Sequence, residues 1–127
     1  MSIVEKLEKL QEITGYLGAA LFTPEGKMLG GITEVAGINF EIAGSLFHDL
    51  FLITQNKSRE AGFGAADTIL LYTKNGIILG QCFRQKDVHF HTIIALDMNA
   101  NVAMAKLLLN KTMITLVGEV KAMCRDS

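Results

Sequence analysis

Hydrophobic and polar positions along this chain follow two periods, about 3.6 and 2 residues, and the switches between them mark its elements. Ile3, Leu7, Leu10 and Ile13 recur at helical spacing, with Glu5, Lys6, Glu8, Lys9 and Glu12 on the wet side. Ser2 and Glu5 stand where a capping box satisfies free backbone N–H groups, and Gly15 is placed to end the helix. The period then drops to that of a strand over 16–23, a turn at Pro24-Glu25-Gly26-Lys27 and a return strand over 27–32, interrupted by Gly30-Gly31. Glycines inside strands mark a bulge or a close backbone approach.

Helical spacing resumes near Asn39, a good N-cap, and runs to about Arg59. Phe40, Ala43, Phe47, Leu50, Phe51 and Thr54 form one stripe. Ile42, Leu46 and Ile53 widen it to roughly half the circumference. His48, Glu41, Ser45, Asp49 and Gln55 fill the polar half, which Leu52 interrupts. A helix covering one face of a sheet needs a narrower stripe, so this one is expected to bury two surfaces. One lies against its own sheet, and the second lies against a partner or in a groove of its own subunit.

After a small-residue linker over 60–66, runs over 68–72 and 77–83 flank Asn75-Gly76, a pair that readily takes the positive φ angles of a type I′ turn. A polar connection over 84–87 leads to a third strand over 88–96. The last helix starts near Asn99 or Asn101, with a stripe of Val102, Ala105, Leu109, Thr112, Leu116, Val120 and Met123. Leu107, Ile114 and Val117 fall outside it, so this helix too is more apolar than one contact demands. The order αββαβββα predicts one domain over 1–127. Its class is α+β: a single five-stranded antiparallel sheet with helices on its faces.

Composition sharpens this picture. Half of the 127 residues are hydrophobic, yet no run approaches the roughly 18 apolar residues of a membrane helix. The surplus apolar surface predicts a homo-oligomer, in the first instance a two-fold dimer. The first residues lack a charged-then-apolar signal pattern, which predicts a cytoplasmic location. A net charge of −1 with interspersed signs excludes the basic stripe of a general nucleic-acid binder.

Candidate chemistry is sparse. Cys82 and Cys124 belong to no CxxC or zinc pattern and read as two reduced thiols. His89 and His91 point to the same side of a strand, a spacing that metal sites use. A third ligand is not identifiable, since Cys82 and Asp87 have unknown positions, and they read as ordinary strand histidines with no metal. His48 lies on the polar half of its helix and reads as solvent-facing or interfacial. No phosphate-cradling glycine motif opens a helix, so the chain should not bind or hydrolyse GTP itself. Gly62-Phe63-Gly64 precedes a strand and reads as a loop. The scattered methionines read as core filler, though Met104, Met113 and Met123 could soften an adaptable surface.

Four segments, in order, resemble the roadblock family, the dynein light chain type and its prokaryotic relatives. They are Ile13-Thr14-Gly15-Tyr16-Leu17-Gly18-Ala19-Ala20-Leu21-Phe22, Pro24-Glu25-Gly26-Lys27-Met28-Leu29, Asp67-Thr68-Ile69-Leu70-Leu71-Tyr72 with Asn75-Gly76, and Ile93-Ile94-Ala95-Leu96-Asp97 before the last helix. The resemblance covers about residues 4 to 120 and implies a roadblock/profilin-like fold. It also implies a homodimer, or a heterodimer with a related roadblock chain, joined through the elements over 40–57 and 67–73. Candidate interface residues are Leu46, Phe47, Leu50, Ile53, Ile69 and Leu71.

The resemblance further implies a non-catalytic regulator or scaffold of a Ras-like small GTPase, with stimulation of hydrolysis as one role. It brings no cofactor, nucleic acid or membrane insertion. Arg59 and Arg84 are the arginines outside the tail that could serve as a finger. The unusually apolar second helix and the His89-Phe90-His91 strand depart from the family's pattern. Two other readings are a structural adaptor indifferent to nucleotide and a small-molecule sensor with Cys82, His89 and His91 as pocket groups.

Overall fold

The Ser2 capping box forms: its hydroxyl accepts from the Glu5 N–H at 3.2 Å while the Glu5 carboxylate accepts from the Ser2 N–H at 3.3 Å. It opens helix α1 (Ile3–Glu8), which tightens into a 3₁₀ turn over Lys9–Glu12 before Gly15 turns the chain with a φ of +89°. The computed structural model describes residues 2–85 and 87–125, with side chains up to Met123. The Cys124 thiol therefore lies outside the described side chains.

The strands are β1 (Tyr16–Phe22), β2 (Met28–Thr33), β3 (Thr68–Tyr72), β4 (Ile77–Gln85) and β5 (Val88–Leu96). Helices α2 (Phe40–Glu60) and α3 (Val102–Arg125) complete the order αββαβββα. All strand pairs are antiparallel, in the order β2-β1-β5-β4-β3, so the two halves of the sheet meet through the β1–β5 pair. The register slips between Leu21 and Phe22, which are paired with Gly30 and Met28; this is the irregularity that Gly30-Gly31 signalled. Asn39 caps α2 by accepting from the Ile42 N–H at 3.0 Å, and Asn101 does the same for Met104 at 3.0 Å.

Two cores follow from the strand alternation. On one face α1 and α3 cover a cluster that includes Leu7, Leu10, Leu79, Phe90, Ile94, Leu109 and Leu116. On the other, α2 covers Ala20, Phe22, Ile93 and Ala95 with Phe40, Phe47 and Phe51. The central strand β5 is buried on both sides, which is why it reads as a nearly continuous apolar run.

The contact of α2 with the sheet is an interlock of two rings with two glycines. A Cβ on Gly44 would stand 2.3 Å from the Phe22 ring, and a Cβ on Gly80 would stand 2.2 Å from the Phe47 ring. Each ring occupies the space another residue's side chain would need, so helix and sheet approach closely.

Three expectations are corrected. The hairpin at Asn75-Gly76 forms, but reversal falls on Lys74-Asn75, with the Thr73 N–H bonded to the Gly76 carbonyl at 2.8 Å. Gly76 keeps an ordinary φ, and glycine is needed because a Cβ would lie 2.7 Å from the Leu96 carbonyl oxygen. Strand β4 extends past residue 83, pairing Arg84 with His89 and Gln85 with Val88. On α3, Met123, expected on the buried stripe, is 40% exposed, while Met113 is a core residue.

Candidate functional site

Helix α2 carries an apolar surface that its own subunit does not cover. Ile42, Leu46 and Ile53 are 68%, 43% and 61% exposed. At 100° per residue they fall within about 40° of one another, on the side away from Phe40, Phe47 and Phe51. Asp49 lies within the same stripe, and Leu52 adds a flanking apolar patch. The helix backbone lies nearest β1 and β2. The sheet surface toward β3 is accordingly only half covered, with Ile69, Leu71 and Ile78 partly buried against the second core. β3 is an edge strand, bonded to β4 on one side. It presents Leu70 and Tyr72 to solvent on the opposite face, at 37% and 64% exposure.

Among the six candidate interface residues, Leu46 and Ile53 are therefore exposed, while Leu50, Ile69 and Leu71 sit at the border of the core. Phe47 is a correction. It is 1% exposed, its ring fills the space over Gly80, and it has no surface to offer a partner. The helical period already sets Phe47 about 100° from Leu46; what it does not say is which of the two apolar sides the subunit covers for itself.

The second group of interest lies near the other end of the same face. Cys82 pairs with His91 across β4 and β5, and His89 stands two residues along on the same side of the sheet. Their potential ligand atoms all lie within 4.8 Å of one another. Cys82 Sγ is 3.3 Å from His89 Nε2, which also accepts from the Arg84 guanidinium at 3.3 Å. His91 is 4% exposed, and its Nε2 has no hydrogen-bond partner among the described residues. Its ring lies on Phe51 at a centroid distance of 4.7 Å and edge-on to His89 at 5.2 Å. Gln55 of α2 reaches down to the Cys82 sulfur at 3.8 Å.

The environment keeps this group neutral in the absence of a ligand. Burial, then the neighbouring His89, His48 and Arg84, pushes the His91 pKa down to about 4, against the opposing pull of Glu25. Burial and Arg84 lower that of His89, and burial raises that of the Cys82 thiol. His48, expected to face solvent or a partner, is half-buried and donates through Nδ1 to the Pro24 carbonyl at 2.8 Å. Cys82 was one of two candidates for the third member, with Asp87, and could not be placed because it belongs to no spaced motif. Placing Gln85 opposite Val88 and counting back along both strands puts Cys82 opposite His91, so hairpin register is the signal that finds it.

Arg59 and Arg84 are both exposed, Arg84 against His89 and Arg59 in the last turn of α2. A cleft of about 250 Å³ opens between the start of α2 and the ends of β4 and β5, lined by Leu17, Ile38, Phe40, Ala43, Ile78 and Ala95 among others. Cys82, His89 and His91 do not line it. No described helix is long and apolar enough to cross a membrane.

Comparison of the whole fold with solved structures decides its type. A Roadblock/LC7 domain from Streptomyces avermitilis superposes with a TM-score of 0.77 at 9% identity, covering 91% of this chain and 95% of that one. The chain has the roadblock/LC7 fold. MglB, in a structure described as having a tetrameric arrangement, matches this roadblock fold with a TM-score of 0.79 at 16% identity, covering 94% of this chain and 88% of that chain. The gliding protein MglB from Thermus thermophilus matches with a TM-score of 0.77, also at 16% identity, over 94% of this chain and 89% of that one. At these identities the likeness is one of backbone architecture. Neither a family profile nor a curated protein matches the sequence.

Proposed function

We propose that this roadblock-fold chain is a non-catalytic, cytoplasmic, dimeric regulator or scaffold of a Ras-like small GTPase. The observation that carries the reading is the uncovered apolar stripe Ile42–Leu46–Ile53 on α2, in a fold that has an open β3 edge. A second copy, or a related roadblock chain, covers the stripe, and apposed β3 edges continue one sheet into the next. The tetrameric arrangement of an MglB with the same fold supports the assembly of this fold into oligomers. The regulatory role comes from the roadblock resemblance. A dimer of this type acts by ordering the GTPase's own switch loops instead of inserting an arginine finger.

The reading is tested by capturing partners from a lysate of the source organism on the immobilised dimer, with GDP or a non-hydrolysable GTP analogue added. Retention of a Ras-like GTPase with the analogue and not with GDP is the expected result. Retention regardless of nucleotide makes the chain an adaptor. Recovery of other proteins with no GTPase overturns the reading. Full stimulation by Arg59→Ala and Arg84→Ala variants is expected, and loss of stimulation in either would instead give that arginine a finger role.

A further inference from the structure

We propose that Cys82, His89 and His91 form a binding site for a zinc-class transition-metal ion, with one thiolate and two imidazole ligands and a fourth position open to water or the Gln55 amide oxygen. Nothing in the regulatory reading requires this site, and it stands on its own geometry.

The ligand types come first. One sulfur and two imidazole nitrogens suit a borderline or soft ion such as Zn²⁺ and disfavour Mg²⁺ or Ca²⁺, which take oxygen. Zn–S and Zn–N lengths of about 2.3 and 2.0–2.1 Å at tetrahedral angles separate a sulfur and a nitrogen by roughly 3.5 Å. Cys82 Sγ and His89 Nε2 are 3.3 Å apart, and all three ligand atoms lie within 4.8 Å of one another. Small rotamer changes close the set. Two adjacent strands hold all three residues, so a bound ion inherits a rigid base.

The orphaned atom is the second observation. Among the described residues His91 Nε2 has no hydrogen-bond partner although it is buried, and the His91 ring stands edge-on to that of His89 at 5.2 Å. A buried polar atom left empty costs stability, and a metal ion satisfies it. His89 Nε2 lies 3.3 Å from both Cys82 Sγ and the Arg84 guanidinium, so ligation through Nε2 needs the tautomer with its proton on Nδ1 and takes the place of the Arg84 contact. Cys82 and His89 are half-buried, which leaves an entry path from solvent.

The charges around the site set its strength. Arg84 lies against His89 and opposes a cation; it is exposed and free to swing away. Glu25 lies close enough to favour positive charge on both histidines. His48 faces the site from α2 and is engaged with Pro24. Ligation converts the thiol to thiolate and releases its proton to solvent, with no oxidant involved.

The test is titration of the reduced, tag-free full chain with Co²⁺, followed by displacement with Zn²⁺ and calorimetry of Zn²⁺ alone. One ion per chain, d–d absorption of tetrahedral type and a thiolate-to-cobalt charge-transfer band are expected. Cys82→Ser should lose the charge-transfer band, and Cys82→Ser and His89→Gln should each weaken Zn²⁺ binding by at least about 100-fold. Cys124→Ser should change neither signal, and Arg84→Ala should tighten binding. Both Cys82 and His89 are half-buried, so these variants should fold, as circular dichroism will confirm. Absence of saturable one-per-chain binding overturns the proposal. So does a charge-transfer band that follows Cys124, or binding unaffected by both ligand variants.

Discussion

At the scale of single residues, His91 and Gly80 make the sharpest predictions. His91 is held neutral in the fold, with a pKa of about 4 against an ordinary value of 6.5. Its contribution is fully present above pH 6.5, and it is lost as pH falls from there toward 4, because only the unfolded chain takes up the proton. For the metal-free protein we expect His91→Phe to flatten the decline in unfolding free energy between pH 7 and 5 by about 1–2 kcal/mol, measured by urea denaturation. An unchanged slope would show that His91 is not held neutral. Gly80→Ala would place a methyl 2.2 Å from the Phe47 ring, so a loss of roughly 1–3 kcal/mol is expected. Alanine at Gly62, where no atom lies within 4 Å, meets no such obstacle but must adopt a φ of +91°. It should destabilise by backbone strain alone, about 1 kcal/mol.

Among the elements, α2 carries the argument. Its inner side is anchored by Phe40, Phe47 and Phe51, each no more than 7% exposed, while its outer side shows Ile42, Leu46 and Ile53 to solvent. Leu46→Asp and Ile53→Asp should therefore leave the monomer's fold intact, with circular dichroism unchanged, and convert the dimer to monomer in light scattering. An unchanged dimer mass in both would place the interface elsewhere. A Phe47→Ala change should do something different: it removes a core ring, lowering stability by about 3–5 kcal/mol whatever the assembly state. The two experiments read the covered and the uncovered side of the helix separately.

For the whole molecule, assembly and stability are linked. If the folded chain is a dimer, its thermal midpoint should rise with protein concentration, since association draws on the folded state. The Leu46→Asp variant should lose that dependence. A wild-type midpoint independent of concentration would mean that the two apolar surfaces of α2 are not buried together at these concentrations.

Local physics determined much of this protein. The capping box at Ser2, the N-cap at Asn39 and the bounds of β3 and β5 depend on near neighbours in the chain and were legible in it, while the start of the last helix was narrowed only to Asn99 or Asn101. The sheet with helices on both faces followed from period and order. The tertiary structure decided what depends on atoms distant in sequence. It made glycine necessary at position 76 through the Leu96 carbonyl, and it set the role of Phe47 through Gly80. It also brought Cys82 to the two histidines, because a cross-strand neighbour is fixed by hairpin register and not by a spacing along one strand. Periodicity tells which side of an element is apolar; only packing tells how much of that side the molecule covers for itself.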